Sequence, residues 1–175
     1  LLALMKEGDR NAFHCFYKET AKSVYGYALS ILKNPQEAEE AMQDTYLTAW
    51  EQAGKYQSDG KPMAWIFTIT KNLCYMRLRR QTNWSGVSLE ELKEQESGWE
   101  PGQLCDDIEL APEKQVLLEA LKSLKEEERS IVLLHDASGM KHREIAELLQ
   151  MPLPTVLSKY RRALKKLCGK VGKSD

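Results

Sequence analysis

Between Pro154 and Lys173 the chain carries seven basic residues and no acidic one. Arg161, Arg162, Lys165 and Lys166 recur at helical spacing. They would share a face opposite Val156, Tyr160, Ala163, Leu164 and Leu167. Fixed cations of this kind neither make nor break bonds; they neutralise phosphate along a nucleic-acid backbone. Thr155, Ser158 and Lys159 lie nearer the N-terminal end of the same helix, where a reading helix meets base edges. Groups suited to catalysis are dispersed. His14, His135 and His142 have no nucleophile or metal constellation around them and read as structural or solvated. Cys15, Cys74, Cys105 and Cys168 form no CxxC or Cys/His cluster, which disfavours zinc and fits reduced thiols in the cytoplasm. No metal, cofactor, small-molecule substrate or enzymatic step is expected.

A row of cations reads DNA only when a scaffold presents it. Residues 139–167, GMKHREIAELLQMPLPTVLSKYRRALKKL, predict two short amphipathic helices joined by a tight turn. That is the helix-turn-helix pattern, which seats its second helix in the major groove. In the first helix, Lys141–Gln150, Ile145, Ala146 and Leu149 fall on one face, and the small Ala146 admits a close crossing. Gln150 to Leu153 make the turn. Pro154 opens the second helix, Pro154–Leu167, where a missing amide costs nothing. The basic run alone is explained equally well by a solvated face; the turn spacing and Glu144-Ile145-Ala146 favour DNA. Upstream, helices are predicted over Glu113–Leu121 and Lys125–Ala137.

The N-terminal part predicts four helices. The first is residues 1–7. Asp9 caps a second, carrying Ala12, Phe13, Phe16, Tyr17, Val24, Tyr27, Ala28 and Ile31, and Asn34-Pro35 stops it. A third, Gln36–Gln52, has Glu37 and Glu39 near its positive end and a stripe of Ala38, Ala41, Met42, Tyr46, Ala49 and Trp50. A fourth, Met63–Arg80, carries Trp65, Ile66, Ile69, Leu73 and Met76. Strand-like alternation is not evident, so the fold class is all-α.

Net charge is −1 over 175 residues, unpromising for a nucleic-acid binder until it is divided. Residues 1–84 hold 11 Lys+Arg against 9 Asp+Glu, residues 85–112 hold 1 against 8, and residues 113–175 hold 13 against 9. Two positive lobes flank an acidic, glycine- and proline-containing middle. The expected organisation is two small helical domains, 1–84 and 113–175, joined by a flexible acidic linker, 85–112. No apolar run approaches the roughly 18 residues of a membrane span. The start, LLALMKEGDR, lacks a basic region and cleavage site, so a secretory leader is not expected.

The ordered motifs resemble the sigma factors of bacterial RNA polymerase, of the compact extracytoplasmic-function type. LKSLKEEERSIVLLHDASGMKHREIAELLQMPLPTVLSKYRRALKKL is similar to their fourth conserved region. GDRNAFHCFYKET, NPQEAEEAMQDTYLTAW and WIFTITKNL are similar to their second. Together these cover nearly the whole chain. The resemblance implies a subunit that binds core RNA polymerase and promoter DNA, opens the DNA near the start site and leaves after initiation. Its docking helix on the polymerase clamp would be Ala38–Trp50, with Glu39, Glu40, Gln43 and Asp44 exposed. Its minus-10 contacts would come from Lys55, Tyr56, Lys61, Lys71, Asn72, Arg77, Arg79 and Arg80, since a melted strand needs cations and aromatic faces. Trp65 is read as core instead. Minus-35 contacts would come from Thr155, Ser158, Lys159, Arg161, Arg162, Lys165 and Lys166. The acidic linker would thread toward the polymerase active-site channel as a strand mimic, and a solvated flexible spacer explains its composition equally well. The family is typically restrained by an anti-sigma factor, often membrane-bound.

The chain departs from the family pattern at four places. Pro154 replaces a glycine, Leu157 a basic residue, Lys159 an arginine, and Lys141 a capping Ser or Thr. Proline removes an amide from a phosphate's reach, and leucine offers a base only an apolar contact. Sequence preference at the minus-35 element is thereby altered while general DNA affinity is kept. The alternative reading is a helix-turn-helix regulator acting without polymerase. Gln43-Asp44 and the basic segment after Trp65 argue against it.

Overall fold

The computed structural model describes residues 2–56, 60–85 and 119–171, and among them every regular element is helical. The linker 85–112, apart from Ser85, and residues 113–118 of the helix expected at Glu113–Leu121 lie outside the described residues; residues 119–122 are helical. The elements are α1 (Leu2–Lys6), α2 (Arg10–Leu32), α3 (Pro35–Gln52), a 3-10 turn (Ala53–Lys55), α4 (Pro62–Ser85), α5 (Glu126–Val132), α6 (His142–Leu149) and α7 (Leu153–Val171). A π-helical turn, Leu133–Ala137, continues α5.

Local chemistry sets the boundaries. The Asp9 carboxylate accepts from the amides of Asn11 and Ala12, capping α2. Lys33 ends α2 in the left-handed region, and Asn34 Oδ1 accepts from the Glu37 amide to open α3 behind Pro35. At α6 the Glu144 carboxylate accepts the Lys141 amide at 2.9 Å, so half of a capping box survives without a Ser or Thr. Gln150 takes φ 55° to close α6, and the Met151 amide bonds back to the Ala146 carbonyl. That reversal is the turn of the helix-turn-helix.

α2, α3 and α4 form the N-terminal core around Val24, Tyr27, Ala28, Ala38, Ala41, Ala49, Ile66 and Phe67. The buried hydroxyls of Thr20, Thr45 and Thr70 each donate to the carbonyl four residues earlier. The α4 stripe differs from the expected one. Ile66, Phe67, Thr70, Cys74 and Leu78 are buried, while Met76 is 42 % exposed. Thr70 and Cys74 complete the i, i+4 row, and a search for large apolar residues passes over them. Trp50 and Tyr17 are likewise more exposed than their stripes implied.

The C-terminal core joins Leu121, Leu124, Ile131, Leu134, Met140, Ile145, Val156 and Ala163. Leu164, expected in that core, is 37 % exposed. It lies about 80° around α7 from Val156, at the edge of the buried face. Arg129 is buried, and its guanidinium donates to the carbonyls of Leu121, Lys122 and Leu124, stitching the residues before α5 to it. The two groups of helices meet directly. Ser23 Oγ donates to the Ala137 carbonyl, Tyr75 Oη to Glu126, and Lys71 Nζ to the Leu148 carbonyl.

Candidate nucleic-acid interface

α7 is held across α5 and α6 by Val156, Ala163 and Leu167. Its opposite face presents Arg161, Arg162 and Lys165 to solvent, and they make no salt bridge among the described residues. The other two expected lysines are engaged. Lys159 pairs with Glu127, and Lys166 donates to Glu128 at 2.6 Å. Burial opposes the Glu128 charge, yet the bonds from Lys166 and the Lys125 amide hold its carboxyl below the usual range. Ser158 is exposed at the N-terminal end, its hydroxyl donating to the Thr155 carbonyl, and Thr155 is half-buried. Pro154 sits in the first turn of α7, where the Thr155 and Val156 amides bond back to Pro152.

A second basic site lies on the N-terminal helices. A cleft of about 570 Å³ is lined by Lys55, Tyr56, Lys61, Trp65, Lys71 and Asn72. The Tyr56 and Trp65 rings stand 4.9 Å apart, and Trp65 is half-buried. It is thus both a core edge and a cleft wall, where the sequence favoured core over a stacking platform. Opposite it, α6 closes the cleft with Glu144 and Glu147; Lys61 Nζ lies 3.1 Å from Glu147. Lys71 reaches the carbonyl end of α6, and burial lowers its pKa.

The three arginines of α4 part company. Arg79 and Arg80 are exposed, with Arg80 Nη2 3.9 Å from the Met76 sulfur. Arg77 instead turns onto α3. Its Nη1 lies 3.2 Å from Glu37 and 2.9 Å from Glu40, and its Nη2 lies 2.5 Å from Asp44. Sequence reasoning did not find this cluster, although Glu37, Glu40 and Asp44 at i, i+3 and i+7 were its signal. Glu39 and Gln43 are exposed on the same helix.

Fold and site define a helical DNA-binding protein with two cationic surfaces on separate helix groups. Two family descriptions match in chain order: Sigma-70 region 2 over residues 16–83 and Sigma-70 region 4 over residues 114–167. The extracytoplasmic-function RNA polymerase sigma factor SigK of Mycobacterium sp. strain KMS is 29 % identical over 177 residues, covering 99 % of this chain and 90 % of the relative. SigK of Mycobacterium tuberculosis strain H37Ra is 28 % identical over 170 residues, covering 95 % and 89 %. Among solved structures, RpoE from Bartonella quintana, in complex with the anti-sigma factor NepR, superposes with TM-score 0.67 at 24 % identity, covering 94 % of this chain and 98 % of that one. CnrH, in complex with the cytosolic domain of CnrY, gives 0.63 at 20 % identity, covering 99 % and 96 %. The chain belongs to the sigma-70 family of RNA polymerase sigma factors, of the extracytoplasmic-function type.

Proposed function

We propose that this chain binds core RNA polymerase through the acidic, exposed face of α3, captures the melted minus-10 strand on α4 and reads the minus-35 element with α7. The observation that carries this is the aromatic and cationic cleft of Tyr56, Trp65, Lys55, Lys61, Lys71 and Asn72, built on α4 and the turn that follows α3. Its cations suit phosphates, and its ring faces suit an unstacked base. Arg79 and Arg80 extend the cationic track. At the other end Arg161, Arg162 and Lys165 grip duplex phosphates, Thr155 and Ser158 meet the groove near the helix start, and Lys159 stays paired with Glu127. The chain performs no covalent chemistry itself.

The organisation is two domains, 1–84 and 113–175, with the acidic 85–112 between them. α6 stands across the cleft, so strand capture requires it to swing from Lys61 and Lys71. The complex of RpoE with the anti-sigma factor NepR supports a protein partner that restrains this chain. No described helix is long and apolar enough to cross a membrane. The chain itself would act in the cytoplasm, where polymerase works. Affinity capture on core polymerase tests the reading. Saturable, equimolar retention is expected, and no retention at any protein concentration would refute it.

A further inference from the structure

We propose that Arg77 belongs to polymerase docking and not to promoter binding: it positions the Glu40 and Asp44 carboxylates on α3 for a partner surface of hydrogen-bond donors and cations. This rests on the α3 docking reading above.

Glu37, Glu40 and Asp44 lie within about 60° of one another around α3 and span about 10 Å along it. Three like charges so placed repel, and unrestrained side chains would splay. One guanidinium meets all three, at 3.2, 2.9 and 2.5 Å. Its fork carries five donors in a plane, so two separate nitrogens reach three acceptors spread along α3, where a lysine has one point charge. The base of the side chain is fixed as well. Cys74 and Leu78, flanking it on α4, are buried, as are Ala38 and Ala41 on α3.

Exposure separates the two roles. The Arg77 side chain is 19 % exposed, whereas Glu40 and Asp44 are 48 % and 46 % exposed. The arginine is turned inward and the acids stay half open, the reverse of what a phosphate contact needs. Three carboxylates against one guanidinium leave the cluster negative, still attractive to a cationic partner. Burial works against the guanidinium charge, but the bonds from Asp44, Glu40 and Glu37 outweigh it and raise its pKa. The guanidinium therefore stays charged.

The test uses the full chain carrying Arg77→Gln, Arg77→Lys or Gln43→Arg, with three readouts. These are affinity for core polymerase, the salt slope of promoter binding by the assembled holoenzyme, and affinity of the free chain for a minus-10 single strand. Arg77→Gln is expected to weaken polymerase binding roughly tenfold, a size reasonable for disordering a charged contact. Arg77→Lys should fall between it and the parent. Promoter salt slope and strand affinity should not change. In an Asp44→Asn background Arg77→Gln should cost much less than alone, because the two act through one contact. A general loss of fold would instead lower strand and polymerase affinity together, for Arg77→Lys as well, and would overturn the positioning role. So would unchanged polymerase affinity, or a slope reduced by about one, the mark of a lost phosphate contact. Gln43→Arg separates the two levels. If it weakens polymerase binding while Arg77→Gln does not, the docking face stands and the Arg77 role falls. If neither does, both fall.

Discussion

Replacing Arg161 and Arg162 together with Ala should flatten the salt dependence of promoter binding by a calculable amount. Both side chains are exposed and outside any salt bridge among the described residues. Each presents an exposed guanidinium that can displace a counterion from the DNA, Arg162 within the field of Glu128. A phosphate contact contributes about 0.9 to the slope of log K against log salt, so the pair contributes about 1.8. Between about 50 and about 200 mM salt, a fourfold change, that slope is worth a factor of about 12 in affinity. The parent should lose about 12-fold more affinity over this range than the double variant. Lys159 and Lys166 supply the internal control. They already neutralise Glu127 and Glu128, so their joint replacement should change the slope by well under one. The assay is fluorescence anisotropy of a labelled promoter with assembled holoenzyme across a salt series. Equal slopes for parent and Arg161/Arg162 variant, or a larger change from the lysine pair, would refute the reasoning.

Three further outcomes follow from particular contacts. Arg129→Met keeps most of the buried volume but removes the donors to the carbonyls of Lys122 and Leu124 and one of two donors to that of Leu121, so urea unfolding should show a loss of about 2–4 kcal/mol. A loss under about 0.5 kcal/mol would contradict the stitching role. Glu147→Gln removes one carboxylate that Lys61 meets, in a pair exposed enough to be worth at most about 1 kcal/mol. The free chain should then bind a minus-10 single strand up to about fivefold more tightly, and weaker binding would argue that α6 assists the cleft. For His142, burial and then the neighbouring His135 ring, 4.0 Å away, lower its pKa from the usual 6.5, with Asp136 opposing. The unfolded chain then binds more protons, so this contribution is complete above the ordinary imidazole range and is lost as pH falls through the folded value. His142→Asn should flatten the fall in thermal midpoint between about pH 7.5 and pH 5, and an unchanged profile would contradict it.

Much of the fold is legible in local signals, because those signals act within one turn of the chain. Asp9, Asn34-Pro35 and the Gln150 turn mark boundaries that the helices keep to within a residue or two. Side-chain direction is less legible. Arg77, Arg79 and Arg80 read alike as a basic run, yet Arg77 faces α3, because helical phase and the α3–α4 packing choose its partner. Lys159 and Lys166 pair with α5 for the same reason. The apposition of α6 to the Lys61–Lys71 cleft was not legible at all. It depends on contacts 77 and 86 residues apart in sequence, through single hydrogen bonds that leave no periodic trace. The smaller buried groups, Thr70 and Cys74, were missed because periodicity was sought in large apolar residues.

The central claim is that this chain gives core RNA polymerase its choice of start site. Purified core polymerase, with and without the chain, can be supplied with genomic DNA and the 5′ ends of its transcripts mapped. A new set of discrete starts is expected, appearing only with the chain and sharing one two-part upstream element. An unchanged set of 5′ ends, with and without the protein, would contradict it.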